Sequence, residues 1–284
     1  MYEFAEYLLR GALLGVTYGL LAFPVSLLFV TTGSVDVALG AYVVLAAAVM
    51  WLVGGPLGVL LAIAAAVFAS AIVGIISMRL NRPGAVDHVI VVLATFGLAT
   101  FIESFVLTFF GTNPMIRQSF DTFWSIGGIR ISPQMSINSA VCVVILISLF
   151  YILQKTPYGR AMRASAVNPV GAALNGIPVR LIWFSTYVLG GFLAGVAGIL
   201  ILYTTGADYS SAFTLTIWGF GSAIIFGMRS PLRGFAGGLI IGMVQSLSSG
   251  YFPGGWATAA PLIFIFVMLS SGRMNRISAT GGRV

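Results

Sequence analysis

The sequence has very little charge. Charged side chains make up 7% of its 284 residues, whereas apolar side chains make up 59%, and the mean hydropathy is +1.04. A soluble domain carries about a quarter charged residues, so this composition excludes one. We therefore expect a polytopic membrane protein: an all-α bundle of membrane-spanning helices that forms a single transmembrane domain over residues 1–284.

Cysteine and histidine are also nearly missing, since Cys142 and His88 are the only examples of each. One cysteine excludes an intrachain disulfide, a CxxC motif and a thiolate metal cluster. An isolated histidine at the edge of a helix is more typical of a boundary residue than of a metal ligand. The sequence also lacks a phosphate-binding loop, HExxH, GxSxG and paired carboxylates. We therefore predict no catalytic residue, no metal site and no cofactor in this chain.

Long apolar runs are abundant. Runs of about 20 residues cross a ~30 Å hydrocarbon core, and scanning for them predicts about nine transmembrane segments, within a range of eight to ten. The second, seventh and eighth are rich in glycine, serine and threonine, which is typical of broken or re-entrant helices that line a cavity. The predicted segments are 9–30, 35–53, 57–78, 88–110, 137–154, 181–203, 212–228, 234–250 and 257–271.

Basic residues are distributed unevenly between the predicted loops. By the positive-inside rule, the side with more of them is the cytoplasm. With nine segments, the N-terminus lies outside and the C-terminus inside, and the net charge of +7 reflects orientation rather than affinity for nucleic acid. Three basic residues fall outside, namely Arg10, Arg117 and Arg130, and the other eleven fall inside: Arg79, Arg82, Lys155, Arg160, Arg163, Arg180, Arg229, Arg233, Arg273, Arg276 and Arg283.

Residues 155–180 form the only long polar interruption in the second half of the chain. Asn168 can cap a helix, and Pro169 suits the first helical position because its missing N–H leaves no bond unmade. Gly176 supplies a stop. The pattern predicts a short cytoplasmic helix from Pro169 to Asn175.

This short helix has little apolar surface. Ala172 and Ala173 are small, and Leu174 is its one larger apolar residue. Such a helix cannot hold itself in a core of its own, so a partner protein would supply the missing contacts. The alternative is a solvated connector at the membrane surface.

The external loop after the fourth segment reads GTNPMIRQSFDTFWSIGGIRISPQMS. Its length and its mixture of proline, glycine, aromatic and charged residues are unusual for a simple connection. We expect it to fold on the outer face, either as a structured lid or as a binding surface for an external protein.

Small residues recur at helical spacing in two segments. Gly234, Gly238 and Gly242 form one stripe, and Gly191 and Gly195 form another. Small residues allow helix backbones to approach each other closely in lipid. The stripes predict helix packing, either within this chain or against another subunit.

Two acidic residues are expected at or near membrane depth. Glu103 lies within the fourth segment, where an ionisable group should face a cavity, find a polar partner or be protonated. Asp36 lies in a glycine-flanked polar stretch between the first two segments, which favours an irregular segment close to a pathway. The alternative for Asp36 is a helix cap at the membrane boundary.

Four stretches together resemble a known family over nearly the whole chain. TPYGRAMRASAVNPVGAALNGIPVRLIWFSTYVLGGFLAGVAGILI resembles the cytoplasmic loop and following helix of branched-chain amino acid ABC permeases, the LivH-type subunit. The other three agree in order and spacing: GVTYGLLAFPVSLLFVTTGSVDVALGAY, LATFGLATFIESFVLTFFG and WGFGSAIIFGMRSPLRGFAGGLIIGMVQSLSSGY.

The resemblance implies one permease subunit of an importer in a bacterial inner membrane. A second homologous permease, two cytoplasmic ATPases that carry ATP and Mg²⁺, and an extracytoplasmic substrate-binding protein would complete the complex. The helix from Asn168 to Gly176, preceded by Arg163, matches the family's coupling segment, which seats in a groove on the ATPase.

The sequence departs from the amino acid branch at two places. Asp36 to Gly40 stands where an Asn-Phe-Ala-His-Gly segment is usual, and it resembles the Ile-Asp-Leu-Ser-Val-Gly of sugar permeases. A glutamine is usual in place of Glu103, while Gln245 stands where a glutamate can occur. We predict that Glu103 faces Gln245. The residues predicted to line the pathway are Asp36, Gly40, Glu103 and Gln245. The ligand is a branched-chain or related amino acid, with sugars, amides and urea-like solutes as alternatives.

An ion-coupled carrier or channel is a competing hypothesis, in which Glu103 or Asp36 binds the driving ion. Carriers of that kind usually place several ionisable residues at membrane depth, and only Glu103 clearly qualifies here. A scaffold without a transport role is disfavoured by the polar, glycine-broken segments.

Overall fold

The computed structural model describes residues 2–80, 88–117, 124–126, 129–228 and 230–270. Within these ranges the chain forms eleven helices and one short antiparallel hairpin. The predicted all-α class is therefore confirmed except for this hairpin, which lies on the loop that we predicted to be external. The elements are α1 (Tyr2–Thr32), α2 (Leu39–Val53), α3 (Gly55–Leu80), α4 (His88–Phe110), β1 (Trp124–Ile126), β2 (Ile129–Ile131), α5 (Pro133–Lys155), α6 (Pro157–Val167), α7 (Pro169–Leu174), α8 (Val179–Leu202), α9 (Ser211–Ile225), α10 (Pro231–Tyr251) and α11 (Trp256–Ser270).

Five of the described helices are long and apolar enough to cross a membrane, namely α1, α3, α4, α5 and α8. By contrast, α2, α9 and α11 have 15 residues each. At 1.5 Å per residue they reach only about 22 Å, which is less than the ~30 Å hydrocarbon core. The predicted count of about nine transmembrane segments is therefore not confirmed.

The long helices differ in how deeply they lie in the bundle. In the most apolar 18-residue stretches of α1 and α8, 83% and 78% of the residues are buried inside the bundle. The corresponding share is 33% in α3 and 22% in both α4 and α5. The outer helices expose many large apolar side chains, such as Leu60, Phe109 and Val144. In water such surfaces would drive aggregation, so this arrangement fits a bundle surrounded by lipid.

The chain contains an internal repeat. Thr31-Thr32-Gly33 ends α1, and Thr204-Thr205-Gly206 directly follows α8. Both glycines have a positive φ, 69° and 73°. An aspartate follows each glycine, and a 15-residue helix comes next, which is α2 in the first case and α9 in the second. A longer helix follows in both cases, namely α3 and α10. Helices α1–α4 therefore correspond to α8–α11.

The two repeats run in opposite directions and pack against each other. Trp183, at the start of α8, donates its indole N–H to the carbonyl oxygen of Thr31, at the end of α1, over 3.0 Å. The first helices of the repeats are therefore antiparallel. The first helix of each repeat packs on the third helix of the other repeat: α1 packs on α10, and α8 packs on α3. This is the arrangement of inverted repeats in many transporters.

The predicted glycine stripes form these contacts within the chain. A Cβ atom at Gly191 would overlap Ser70 of α3, and one at Gly195 would lie 3.1 Å from the Ile63 Cα. Gly238 likewise packs on the backbone of Gly19 in α1. Gly234 and Gly242, on the same α10 stripe, also meet α1, so packing within one chain accounts for both stripes.

The described loops collect at two opposite ends of the bundle. At one end, Met78 at the end of α3 lies beside Pro178, and the start of α10 lies beside the end of α1 and α6. At the other end, the backbones of Met115 and Ala207 pair, and the Arg117 N–H donates to the Leu202 carbonyl oxygen over 3.2 Å. This grouping matches the predicted division of loops, although Arg82, Arg229 and the C-terminal arginines lie outside the described residues.

Candidate functional site

Asp36 lies in a buried, non-helical segment between α1 and α2. Only 4% of its surface is exposed, and its carboxylate accepts a hydrogen bond from the Ala38 N–H over 2.9 Å. The carboxylate thus satisfies a backbone donor just ahead of α2, in the manner of an Asx turn. Ala38 itself is the N-cap residue of α2 and has no side-chain cap bond, so Asp36 stabilises the turn before the helix rather than capping it. The role of Asp36 in a pathway stays a prediction.

Two threonines from other helices satisfy the backbone of this segment. The Val37 N–H donates to the Thr95 hydroxyl of α4 over 3.2 Å. The Thr216 hydroxyl of α9 accepts from the Gly40 N–H over 2.9 Å and lies 3.1 Å from the Val37 carbonyl oxygen. Irregular backbone at membrane depth requires such partners. We did not predict either threonine, because a lone threonine in an apolar run has no sequence signal of its own.

Gly40 is required by the close approach of α2 and α9. A Cβ atom there would overlap the carbonyl oxygen of Ala212. The structure thus explains Gly40 by the packing of two short helices against each other, and its predicted place in the pathway stays a prediction.

Two buried phenols surround Asp36. Tyr42 and Tyr187 have 0% and 1% of their surfaces exposed, and both interact electrostatically with the Asp36 carboxylate. Tyr42 belongs to α2 and Tyr187 to α8. The aspartate therefore lies close to both α2 and α8, and a movement of one against the other would change its surroundings.

Glu103 borders a small cavity between α2, α4 and α9. The cavity has a volume of about 40 Å³ and also touches Val37, Thr100, Phe213 and Thr216. It can hold a few water molecules but is far smaller than a site of ~300 Å³ or more that encloses a typical organic ligand. A solute could pass here only after the helices separate.

Gln245 lies elsewhere. Its side-chain oxygen accepts a hydrogen bond from the Tyr18 hydroxyl over 2.6 Å, which links α10 to α1. The structure therefore brings Asp36, Gly40 and Glu103 to one region but places Gln245 against α1, away from the Glu103 cavity. The predicted contact between Glu103 and Gln245 is not found, because tertiary packing gives Gln245 a different partner.

The short helix predicted after Asn168 forms as α7, one residue shorter than expected. The Asn168 side chain accepts from the Gly171 N–H over 2.9 Å, and Pro169 occupies the first turn. Gly176 exits with a φ of 79°, a conformation that a residue with a Cβ adopts only at a cost. The local sequence alone determines this helix, since its caps lie within nine residues.

The two faces of α7 have different surroundings. Ala172 is buried against Val179 and Trp183 of α8, so it anchors the helix to its own chain. Ala173 and Leu174 are exposed, and 84% of the Leu174 surface is accessible. Val167, at the end of α6, is 87% exposed. The outer face therefore presents apolar side chains that nothing in the described chain covers.

Arg163, predicted to belong to the coupling segment, lies in α6. Its guanidinium donates to the Leu153 carbonyl oxygen near the end of α5. It also lines a cavity of about 280 Å³ between α1, α5, α6 and α10. Helix α6 was not predicted, although Thr156, which caps it by accepting from the Gly159 N–H, is followed by a proline that marks its first turn.

Asp208 is the counterpart of Asp36 in the second repeat, and its surroundings differ. Burial acts to raise the pKa of this carboxyl, but hydroxyl and backbone donors of Ser211 and Ser210 outweigh it and hold the pKa below its ordinary value. Both hydroxyls donate to the carboxylate, over 2.7 and 2.8 Å. The paired TTG motifs could have revealed this second aspartate from the sequence.

Comparison with known proteins places this architecture in a family. The model for the family described as branched-chain amino acid transport system / permease component matches residues 7–270. LivH of Escherichia coli (strain K12), a high-affinity branched-chain amino acid transport system permease protein, is 26% identical over 295 residues, covering 96% of each chain.

Two further relatives match about half of the chain. The probable branched-chain amino acid transport permease LivH of Methanocaldococcus jannaschii is 32% identical over 48% of this chain and 44% of that protein. The nucleoside ABC transporter permease NupC of Lactococcus lactis is 29% identical over 48% of this chain and 46% of its own. No solved structure shows significant similarity. Because the family model covers almost the entire chain, this protein belongs to the LivH-type family of branched-chain amino acid transport permeases.

Proposed function

We propose that this chain is the transmembrane permease subunit of an ATP-driven importer for branched-chain or related amino acids. It forms half of the translocation pathway, and a second homologous permease forms the other half. Two cytoplasmic ATPases, which carry ATP and Mg²⁺, supply the energy, and an extracytoplasmic binding protein delivers the ligand. The chain itself hydrolyses nothing.

The observation that carries this proposal is the family match over residues 7–270, together with end-to-end similarity to LivH of E. coli. The exposed face of α7 supports the coupling role. It is a capped helix, anchored through Ala172, that offers Leu174 to solvent. Exposed apolar residues on a rigid support are typical of a docking surface.

The proposed topology has nine crossings, with the N-terminus outside and the C-terminus in the cytoplasm of a bacterial inner membrane. The five long helices cross fully, and so does the 21-residue α10. The 15-residue helices α2, α9 and α11 cross together with the irregular segments next to them, as broken helices do in other transporters. The shared location of the basic loops at one end of the bundle supports this orientation.

The pathway is proposed to open beside Asp36, Gly40 and Glu103, where α2, α4 and α9 meet. Gln245 contributes by holding α10 against α1 through Tyr18 rather than by touching the solute. Since the present cavity holds only a few water molecules, this is a closed state of the pathway.

A different small solute is the second candidate function. The similarity to NupC, a nucleoside permease, and the Asp36–Gly40 segment both favour it over a strict amino acid assignment. The fold and the coupling helix would serve either ligand.

The test is reconstitution of this chain with the ATPases, second permease and binding protein encoded beside it. We expect uptake of leucine, isoleucine or valine into proteoliposomes that depends on ATP and on the binding protein. Calorimetry of the binding protein against amino acids, nucleosides, sugars and amides identifies the ligand class. Uptake by this chain alone, driven by an ion gradient, would show that it is a carrier.

A further inference from the structure

The exposed face of α4 carries several polar groups. Gly97, Thr100, Ser104 and Thr108 of α4 are all exposed and recur every three or four residues, so they share a face. Glu103, which is half-buried, lies next to them. We call these five residues the α4 polar surface. It is flanked by exposed aromatic side chains, including Phe101 and Phe105.

The exposed faces of two other outer helices provide a comparison. On α3, every exposed residue between Leu57 and Ile75 is apolar. On α11, the counterpart of α4 in the second repeat, the exposed residues from Ile263 to Leu269 are also apolar. These faces suit hydrocarbon. The α4 polar surface does not suit hydrocarbon. Because α11 occupies the corresponding position in the second repeat and exposes apolar side chains there, a helix in this position does not need polar residues.

Glu103 makes lipid an unsuitable neighbour for this face. No residue in the described part of the chain forms a hydrogen bond or an ion pair with it. Thr100 and Thr108 need no further partner, because their hydroxyls donate to carbonyl oxygens of their own helix. An ionisable side chain within a membrane helix almost always faces protein or a water-filled cavity. Within the described part of the chain Glu103 meets only the small cavity that it borders, so a donor from another chain would supply the partner that these residues do not.

We propose that the α4 polar surface is the contact site for the second permease chain, and that the second permease presents a hydrogen-bond donor side chain to Glu103. The inference rests on the proposed function, since it specifies the face through which the two permeases meet. Gly97, which has no atom near its missing Cβ, and the small Ser104 let the partner helix approach closely. The contact closes the outer side of the cavity that Glu103 borders.

Charge determines which partner fits. A symmetric contact between two copies of this chain would bring two Glu103 carboxylates together at low dielectric if Glu103 lay at the two-fold axis. Like charges disfavour each other in such a setting. A permease with an arginine, lysine, asparagine or glutamine opposite Glu103 avoids this repulsion and supplies the donor.

The test measures what touches this face in the whole complex, reconstituted in nanodiscs. Nitroxide labels are attached to Ser104→Cys and, as the control on the equivalent helix, to Phe266→Cys, both in a Cys142→Ala background. Collisions with oxygen, which dissolves in lipid, and with a water-soluble nickel chelate report the surroundings of each label. We expect the Ser104 label to be shielded from both reagents and the Phe266 label to be open to oxygen.

Three results would overturn the proposal. Equal oxygen access at the two labels shows a lipid-facing surface, and high nickel access at Ser104 shows a water-filled groove without a partner. Strong dipolar coupling between two Ser104 labels in one complex shows that the partner is a second copy. If the complex contains no second permease chain at all, the proposed function fails as well, and the subunit composition distinguishes that case.

Added volume supplies an independent test. Overpacking a close helix contact is costly, so Ser104→Phe should weaken association with the second permease about tenfold or more in detergent. The matched control, Val267→Phe on α11, should leave the subunit composition unchanged. Glu103→Leu should also weaken association, and Glu103→Gln should weaken it less, because an amide oxygen still accepts a hydrogen bond. Full association in Ser104→Phe and Glu103→Leu would refute the contact.

Discussion

The hydroxyl of Thr216 accepts a hydrogen bond over 2.9 Å from the backbone N–H of Gly40, a residue 176 positions earlier in the chain. This bond joins the first turn of α2 to the second turn of α9, the two short helices that correspond in the inverted repeats. It lies beside the irregular segment that carries Asp36 and at the edge of the cavity that Glu103 borders. The two halves of the fold therefore meet at the predicted pathway.

Removing this hydroxyl should destabilise the junction. Thr216→Val keeps the shape but leaves the buried Gly40 N–H without its acceptor, which costs about 1–3 kcal/mol. Thr216→Ser should retain most of the stability, since the oxygen remains. Thermal unfolding in detergent measures the effect, and Thr258→Val on the exposed start of α11 is the control. Equal unfolding temperatures for Thr216→Val and the parent chain would contradict this account of the junction.

The contact between α1 and α10 should be intolerant of added volume. Gly238 packs on the backbone of Gly19, so Gly238→Ala places a Cβ atom where a rigid backbone already lies. Overpacking of this kind costs about 1–3 kcal/mol. We expect a lower unfolding temperature and a lower yield of folded protein.

Gly255→Ala is the matched control for that substitution, because no atom lies within 4 Å of its added Cβ position. The parent, Gly238→Ala and Gly255→Ala chains are compared by size-exclusion chromatography and thermal unfolding. Indistinguishable behaviour of the two variants would mean that α1 and α10 separate at little cost.

The proposed sidedness can be tested with two exposed positions at opposite ends of the bundle. Leu174→Cys lies on the outer face of α7, and Ile116→Cys lies beside the paired Met115, each in a Cys142→Ala background. In intact cells whose outer barrier is permeable to the reagent, an impermeant maleimide should label Ile116→Cys only. Ser165 is unsuitable as a reporter because it is 1% exposed. Labelling of Leu174→Cys in intact cells would reverse the topology.

Local features were predictable from the sequence, and long-range ones were not. The caps of α7 lie within one short stretch, so Asn168, Pro169 and Gly176 predicted it almost to the residue. The glycine stripes predicted close packing, but periodicity cannot specify which helix packs there, and the structure shows that the partner is the opposite repeat. The lengths of the apolar runs overestimated the lengths of the helices, because α2 begins only at Leu39, after the irregular segment that contains Asp36.

The candidate site shows the same limit. Asp36 and Glu103 were predicted because charged residues at membrane depth are rare. The threonines that bond to the backbone beside Asp36, Thr95 and Thr216, come from helices far away in the sequence. The partner of Gln245 was mispredicted for the same reason, since Tyr18 is 227 positions away. The duplicated TTG and aspartate were available in the sequence. Aligning them would have predicted the inverted repeats and, with them, the pairing of α2 with α9.

The faces of α7 determine which substitutions can test its coupling role. Ala172→Trp would force an indole into the contact with Trp183 and disturb the fold itself, because Ala172 is buried. Ala173→Trp and Leu174→Asp change only the exposed side. If this side docks in a groove on the ATPase, added volume or a new charge there should be poorly tolerated, whereas the permease itself should remain folded.

We therefore expect Ala173→Trp and Leu174→Asp to lower ligand-stimulated ATP hydrolysis and uptake together, by about tenfold if the lost contact is worth ~1.4 kcal/mol. Binding of the proposed extracytoplasmic protein should persist, because we expect it to dock at the opposite end of the bundle. Val53→Trp, exposed at that opposite end, controls for added aromatic surface and should leave ATPase content unchanged. Should Ala173→Trp and Leu174→Asp retain parental ATPase stoichiometry, stimulated hydrolysis and uptake, α7 would be a solvated connector, and the ATPase would have to engage another cytoplasmic segment.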